Sequence, residues 1–243
     1  MAQHPATAPS PLRLFAAKLR VPLAPPRLVS RPRLLASLAT VRTRKLTLVL
    51  APAGFGKTTL VAEYARSLGA AAAWLTLEPG DADLVVFGHY LIAAVARTRP
   101  AFGRAARTWL EAAVNPALQL PDFAAVLVEE LEAGGAGDLV VILDDFHEVA
   151  ASANILILLD LLMRYMPPWV HLVLSSRSAP ALTTTRLLVE QQIGGLGADD
   201  LRFRPAEAVL WLADATGRII PRRPALWWRR LRDRKSTRLN SSH

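Results

Sequence analysis

The sequence predicts an α/β fold of three layers, with a mainly parallel sheet of about five strands between helices. Three observations predict it. Short apolar runs alternate along the chain with stretches whose apolar residues recur at helical spacing. A glycine-rich loop joins one such run to one such helix, and the most continuous run ends in two aspartates. With 243 residues, 52% of them hydrophobic, the chain can fill a sizeable core. It has no cysteine, which excludes disulfides, thiolate metal sites and cysteine nucleophiles and fits a reducing compartment. The longest apolar candidate, residues 155–163, is short and broken by Asp160. The expectation is a cytoplasmic protein that does not enter a membrane.

Residues 1–27 are proline-rich and aperiodic, so they read as an extended leader, without the apolar core of a secretory signal. The folded domain is expected over 28–205, opening with a short helix at Arg31-Pro32-Arg33-Leu34-Leu35. Leu46–Leu50 is an apolar strand that enters Ala51-Pro52-Ala53-Gly54-Phe55-Gly56-Lys57-Thr58-Thr59, after which Leu60, Val61, Tyr64 and Ala65 mark a helix. Residues 72–77 form a second strand, followed by the turn Pro79-Gly80-Asp81 and a helix lined by Val86, Tyr90, Leu91 and Val95. A helix over 123–131 closes on Gly134-Gly135. The run from Leu139 to Leu143 reads as a central parallel strand and ends in Asp144-Asp145. A helix over 155–165 stops at Pro167-Pro168, and a strand over 171–174 ends in Ser175-Ser176-Arg177. Trp74, Phe87 and Tyr90 fall at core-facing spacing.

The formal charge of +9 suggests nucleic acid, but its distribution argues against that. Residues 218–243 hold nine Lys/Arg against one acidic residue, which leaves +1 for all the rest. The ending Arg234-Lys235-Ser236-Thr237-Arg238-Leu239-Asn240-Ser241-Ser242-His243 resembles translated sequencing-adapter sequence, so 218–243 is expected to be non-native. A genuine basic amphipathic segment is the alternative.

A phosphate chain needs several N–H donors at close range. Glycines let a backbone wrap that tightly, and the following helix points its positive end at the anion. Gly54 and Gly56 serve this need within the loop from Pro52 and Ala53 through Phe55 to Thr59. Lys57 reaches toward the β- and γ-phosphates of ATP or GTP, and the Thr58 hydroxyl ligates Mg²⁺. The pattern departs from G-x-x-x-x-G-K-[ST] only at Ala51, which stands at the strand end rather than against the phosphates. Asp144, also at a strand end, can meet the Mg²⁺ sphere beside Thr58, and Asp145 can orient or deprotonate an attacking water. If the strand before Arg177 lies between the two motif strands, its guanidinium points at the γ-phosphate. His147 stands close to the same strand end. The sequence thus describes a P-loop NTPase.

These residues resemble the N-terminal nucleotide-binding module of the MalT-like, large ATP-binding LuxR-type transcriptional regulators, within the STAND ATPases. The matching blocks are Leu28 to Leu35, Leu46 to Leu60, Ala73 to Asp81, Tyr90 to Ala94, Leu143 to His147, His171 to Arg177, and Asp200 to Phe203 with Glu207-Ala208. The resemblance implies ATP with Mg²⁺, with Val29 and Arg31 near the adenine. It also implies metal and hydrolysis roles for Asp144 and Asp145, and a γ-phosphate sensor in Arg177. Ala179 departs from the acidic residue common after the sensor arginine. In such regulators a slow ATPase acts as a switch, self-association accompanies activation, and DNA is read through a C-terminal domain. By that comparison the chain is expected to be a truncated fragment, in which 206–217 begins a helical domain and no DNA-reading domain is present. A stand-alone P-loop ATPase or kinase acting on a small substrate is the competing reading, and nucleic-acid binding through the basic tail is the third.

Overall fold

The computed structural model describes residues 13–216 apart from Arg27 and Ala136, so the basic tail and the first twelve residues of the proline-rich leader lie outside the described residues. Five strands, β1 (Leu46–Leu50), β2 (Ala72–Thr76), β3 (Leu139–Asp144), β4 (Val170–Ser176) and β5 (Ile193–Leu196), form one sheet in the order β2-β3-β4-β1-β5. Every pairing is parallel. Parallel strands need long crossovers, and the helical stretches between the apolar runs supply them.

The helices, among the described residues, are α1 (Pro32–Leu38), α2 (Lys57–Leu68), α3 (Leu84–Ala96), α4 (Arg104–Ala112), α5 (Leu120–Ala133), α6 (Ala153–Tyr165), α7 (Thr185–Val189), α8 (Ala198–Leu201) and α9 (Pro205–Thr216). Successive strand side chains point to opposite faces, so each central strand feeds two cores. Val140 and Ile142 pack with Leu34 and Leu38 of α1 and Leu60 and Val61 of α2. Leu139, Val141 and Leu143 pack instead with Phe87 of α3, Phe123 of α5 and Leu158 of α6. All six residues of β3 and all seven of β4 are buried, as a covered parallel strand requires. The expected three-layer α/β fold with a parallel five-stranded sheet is the observed one.

Three features go beyond the pattern in the sequence. Residues Ala16–Leu19 form a 3-10 turn packed on the body, upstream of the expected start at Leu28. Lys18 is buried there, pairing with Asp81 and lying 4.3 Å over the Tyr90 ring. A four-residue turn held by a distant ion pair leaves no periodicity to read. The fifth strand, β5, has the sequence Ile-Gly-Gly-Leu. A Cβ on Gly195 would stand 2.5 Å from the Leu48 carbonyl oxygen, so glycine permits the close approach to β1. Helix α4 buries only Ala106 and Leu110, and Glu130 of α5 accepts hydrogen bonds from the N–H groups of Gly103, Ala105 and Ala106 at its start.

Candidate functional site

The C-terminal ends of β1, β3 and β4 lie side by side, and the chain leaves each of them into the site. After β1 the backbone turns through Gly54 (φ 83°) and Gly56 (φ 75°), left-handed conformations that glycine adopts at no steric cost, and then enters α2. Ala51 belongs to the sheet: its N–H donates to the Ser176 carbonyl at 3.2 Å and its side chain is buried. An alanine therefore fits where the motif more often has glycine.

The loop encloses a cavity of about 390 Å³ lined by Ala53, Gly54, Gly56, Lys57, Thr58, Thr59, Asp145 and Arg177. Lys57 is buried at its edge, and its ammonium donates to the Pro52 carbonyl at 3.1 Å. Burial lowers the Lys57 ammonium from its ordinary value, while Asp145 and Asp144 oppose that shift. From α2, the Thr58 hydroxyl donates to Asp144 Oδ1 at 3.2 Å. Asp144 is wholly buried at the end of β3, and burial pushes its carboxyl up. The Ser175 hydroxyl nearby opposes the shift, the charge of Asp145 adds to it, and Thr58 opposes it. Yet neither Ser175 Oγ nor Asp144 Oδ2 makes a hydrogen bond.

That orphaned oxygen bears on the metal question. A buried carboxylate lone pair without a partner is costly unless something occupies it. A hydroxyl and a carboxylate are hard oxygen donors of the kind Mg²⁺ takes, and Mg²⁺ usually completes its sphere with water and substrate phosphate. Among the described residues no group of three or more His, Cys, Asp or Glu could hold a metal alone. The residues present therefore fit a magnesium ion that arrives with a phosphate chain.

Arg177 is exposed and follows β4, and β4 does lie between β1 and β3; its side chain lines the same cavity as Lys57. Asp145 also lines it, held in a left-handed conformation (φ 54°) that aspartate tolerates better than most residues. His147 follows in the 3-10 turn Phe146–Glu148, with Nδ1 3.9 Å from Asp145 Oδ1 and Nε2 3.1 Å from Glu148 Oε1.

A second cavity of about 240 Å³ adjoins the first, sharing Gly54, Gly56 and Thr59. Pro25, Leu28, Val29, Arg31, Phe55, Leu60 and Glu63 line it, with Phe203 and Trp211 from the segment after β5. Val29 and Arg31, which the resemblance implied near the adenine, both line this second cavity. Arg31 is more constrained than the sequence suggested. It is buried, its Nη1 donates to the Leu201 carbonyl at 2.9 Å and its Nη2 to the Gly56 carbonyl at 3.3 Å, and its guanidinium lies 5.4 Å from the Phe203 ring centre. Two residues later, Arg33 pairs with Glu207 of α9 at 3.0 Å. Neither tie to the distant segment leaves a signal in the sequence, beyond the presence of arginines in an otherwise apolar helix.

Comparison with known proteins agrees with the fold. No protein-family model matches the chain. It is 32% identical over 201 residues to the serine/threonine-protein kinase PknK of Mycobacterium tuberculosis. It is also 32% identical over 198 residues to the HTH-type transcriptional regulator MalT of Cronobacter sakazakii. Each match covers 80% of this chain but only 18% of PknK and 21% of MalT, so the chain spans about a fifth of the length of these relatives. A STAND protein with a tetratricopeptide repeat sensor from Pyrococcus horikoshii superposes with a TM-score of 0.51 at 16% identity, covering 90% of this chain and 30% of that one. Over four fifths of its length this chain is thus a homologue of about a fifth of the MalT and PknK proteins, and it shares its α/β fold with the Pyrococcus STAND protein.

Proposed function

We propose that the chain binds ATP with Mg²⁺ and hydrolyses it slowly, as the nucleotide switch of a MalT-like transcriptional regulator. The observation that carries this is the Thr58 hydroxyl 3.2 Å from a buried Asp144 whose second oxygen has no partner, at the mouth of a glycine-turned loop. In this reading the backbone N–H groups around Gly54 and Gly56 and the start of α2 hold the phosphates, and Lys57 gives up the Pro52 carbonyl to meet them. Bound between Thr58 and Asp144, the ion would neutralise charge on the β- and γ-phosphate oxygens. Asp145 orients the attacking water, and Arg177 meets the charge that develops on the γ-phosphate. Val29 and Phe55 flank the base, beside the guanidinium of Arg31. We place the domain over 28–205, with α9 starting a helical domain beyond it. Self-association and DNA binding belong to a longer protein of this kind. Among the described residues no helix is long and apolar enough to cross a membrane, and we place the protein in the cytoplasm.

Titration with a fluorescent ATP analogue and Mg²⁺ tests the reading. Lys57→Ala removes a charge-assisted contact worth about 1.5–3 kcal/mol, and should weaken binding about 10- to 100-fold. Wild-type affinity in that variant would overturn the site. Turnover faster than about once per second without any partner would instead favour an ordinary P-loop enzyme with its own substrate.

A further inference from the structure

We infer that Lys18 is a positioning residue for the second cavity: it anchors one end of a proline-rich strap and so sets where Pro25, Leu28 and Val29 stand as one wall of that cavity. The inference rests on the nucleotide-site reading above and adds to it a lysine that lines neither cavity.

The strap crosses from one face of the sheet to the other. β2 is an edge strand, and the 3-10 turn Ala16–Leu19 packs against it and against α3. On the α3 side, Leu14 and Leu19 join the core that holds Phe87 and Phe123, and the Phe15 N–H donates to the Tyr90 hydroxyl at 3.1 Å. Past the edge, Val21 packs on the opposite core, and the Pro22 carbonyl accepts from Arg66 of α2 at 2.7 Å. The chain then enters the second cavity through Pro25, Leu28 and Val29. Immediately beyond, the Ser30 hydroxyl donates to Glu63 at 2.5 Å and Arg31 donates to the Leu201 and Gly56 carbonyls. This wall of the cavity is therefore a span held at both ends.

The upstream anchor is a desolvated ion pair. Lys18 is 7% exposed and Asp81 3%, Glu78 accepts a second hydrogen bond from the ammonium at 3.4 Å, and the Tyr90 ring lies 4.3 Å from it. An ammonium carries three donors and loses its hydration on burial, so it stays buried only where partners converge on it. Asp81 is itself fixed, because it also accepts the Glu78 N–H at 2.8 Å, and the Leu77 N–H just before donates to the Asp144 carbonyl at 2.9 Å. Lys18 thus ties the strap to the loop that is bonded to the end of β3. Between the anchors the span carries little slack. Pro22, Pro25 and Pro26 each hold φ at about −65°, and a proline-rich segment behaves as a semi-rigid spacer. A displacement at Lys18 is therefore passed on to Leu28 and Val29 rather than absorbed. Among the described residues none from the strap lines the first cavity, so the lever acts on the base and not on the phosphates.

The test compares a ligand that has a base with one that lacks it. ATP and inorganic triphosphate, each with Mg²⁺, are titrated calorimetrically into the full chain. Lys18→Met keeps an unbranched apolar stem and removes the charge. It should weaken ATP about 3- to 10-fold, since the loosened wall must then be ordered on binding at about the cost of one immobilised side chain. Triphosphate affinity should change by less than about twofold, because that ligand does not reach the second cavity. Lys18→Met leaves Asp81 buried without its partner. Where that variant fails to fold, Lys18→Met with Asp81→Asn decides: it leaves no charge unpaired, keeps an acceptor for the Glu78 N–H, and should show the same selective loss. Coupling between two sites is reciprocal, so the wild type gives a second readout. ATP should slow hydrogen exchange at the amides of Phe15, Lys18 and Arg20, which donate to Tyr90 or within the turn, and triphosphate should leave them unchanged. Equal losses for ATP and triphosphate, unchanged ATP affinity in the variants, or amides that respond alike to both ligands would each overturn the assignment. A wild-type chain that binds neither ligand would overturn the nucleotide site and this inference with it. ATP binding no tighter than triphosphate in the wild type would remove the base cavity and with it this role for Lys18. Selective wild-type binding with variants indistinguishable from it would overturn this inference alone.

Discussion

Asp144→Asn should stabilise the protein in the absence of nucleotide while removing its response to Mg²⁺. Asp144 is wholly buried, Thr58 is its hydrogen-bond partner at Oδ1, and Oδ2 has none. Asparagine keeps the shape and the acceptor for Thr58. Its amide nitrogen replaces the orphaned oxygen and faces Ser175 Oγ, which also has no partner. An unsatisfied buried polar group costs about 1–3 kcal/mol, so the substitution should regain an amount in that range. For a domain of this size that corresponds to a rise in melting temperature of about 2–10 °C. The pH dependence follows from the direction of the Asp144 shift. Burial pushes its carboxyl above the ordinary 3.8, so the folded protein holds that proton more tightly than the unfolded chain. Ionising it costs the folded state, and this cost is absent below about pH 3.8 and grows as pH rises through the raised value. The advantage of the asparagine variant should therefore be largest at neutral pH and shrink toward acid. Thermal unfolding followed by circular dichroism at several pH values measures this, and repeating it with ATP and Mg²⁺ should raise the wild-type midpoint more than that of the variant. A variant that melts below wild type at pH 7, or an advantage that does not change with pH, would refute the reasoning.

Two further outcomes follow from contacts elsewhere in the fold. Arg31→Lys should destabilise by about 1.5–3 kcal/mol, because one ammonium cannot serve the Leu201 and Gly56 carbonyls while also presenting a flat face to Phe203. Urea unfolding should show a lower midpoint at unchanged slope, and an unchanged midpoint would mean that the arginine clamp is idle. Gly195→Ala should cost about 1–3 kcal/mol, since its Cβ would lie 2.5 Å from the Leu48 carbonyl oxygen and β5 would have to part from β1. Hydrogen exchange should speed first at the amides joining these two strands, and unchanged protection there would refute the register.

The elements that were legible in the sequence are those whose reasons are local. The run of Leu139–Asp144 is covered on both faces, so every residue in it is apolar until the chain reaches the site. The glycines at 54 and 56 announce a left-handed turn, and Lys57-Thr58 announces what that turn is for. What stayed hidden is long-range. Lys18 looks like a scattered basic residue of a proline-rich leader until Asp81 stands beside it. β5 contains two glycines in four residues, which pattern alone assigns to a loop, and only the closeness of the Leu48 backbone explains them. Arg31 matched a motif position, but its tie to Leu201 reaches a segment 170 residues away in sequence.

The strand order is what turns separate motifs into one site. Thr58, on the helix that follows β1, and Asp144, at the end of β3, are 86 residues apart, and β1 and β3 are not neighbours, because β4 runs between them. Adjacent strands stand about 4.8 Å apart, so Thr58 must reach Asp144 across the end of β4. The last two residues of β4 are Ser175 and Ser176, both fully buried. A larger side chain at 175 would compete for the space in which Asp144 leaves its second oxygen free. Small buried residues at the end of the intervening strand, followed at once by an arginine free of the sheet, are therefore as much a part of the site as the loop itself. In the proposed reading, Ser175 and Ser176 at the end of β4 keep a gap open for an ion and a phosphate, and Arg177 just beyond them puts a positive charge at its rim.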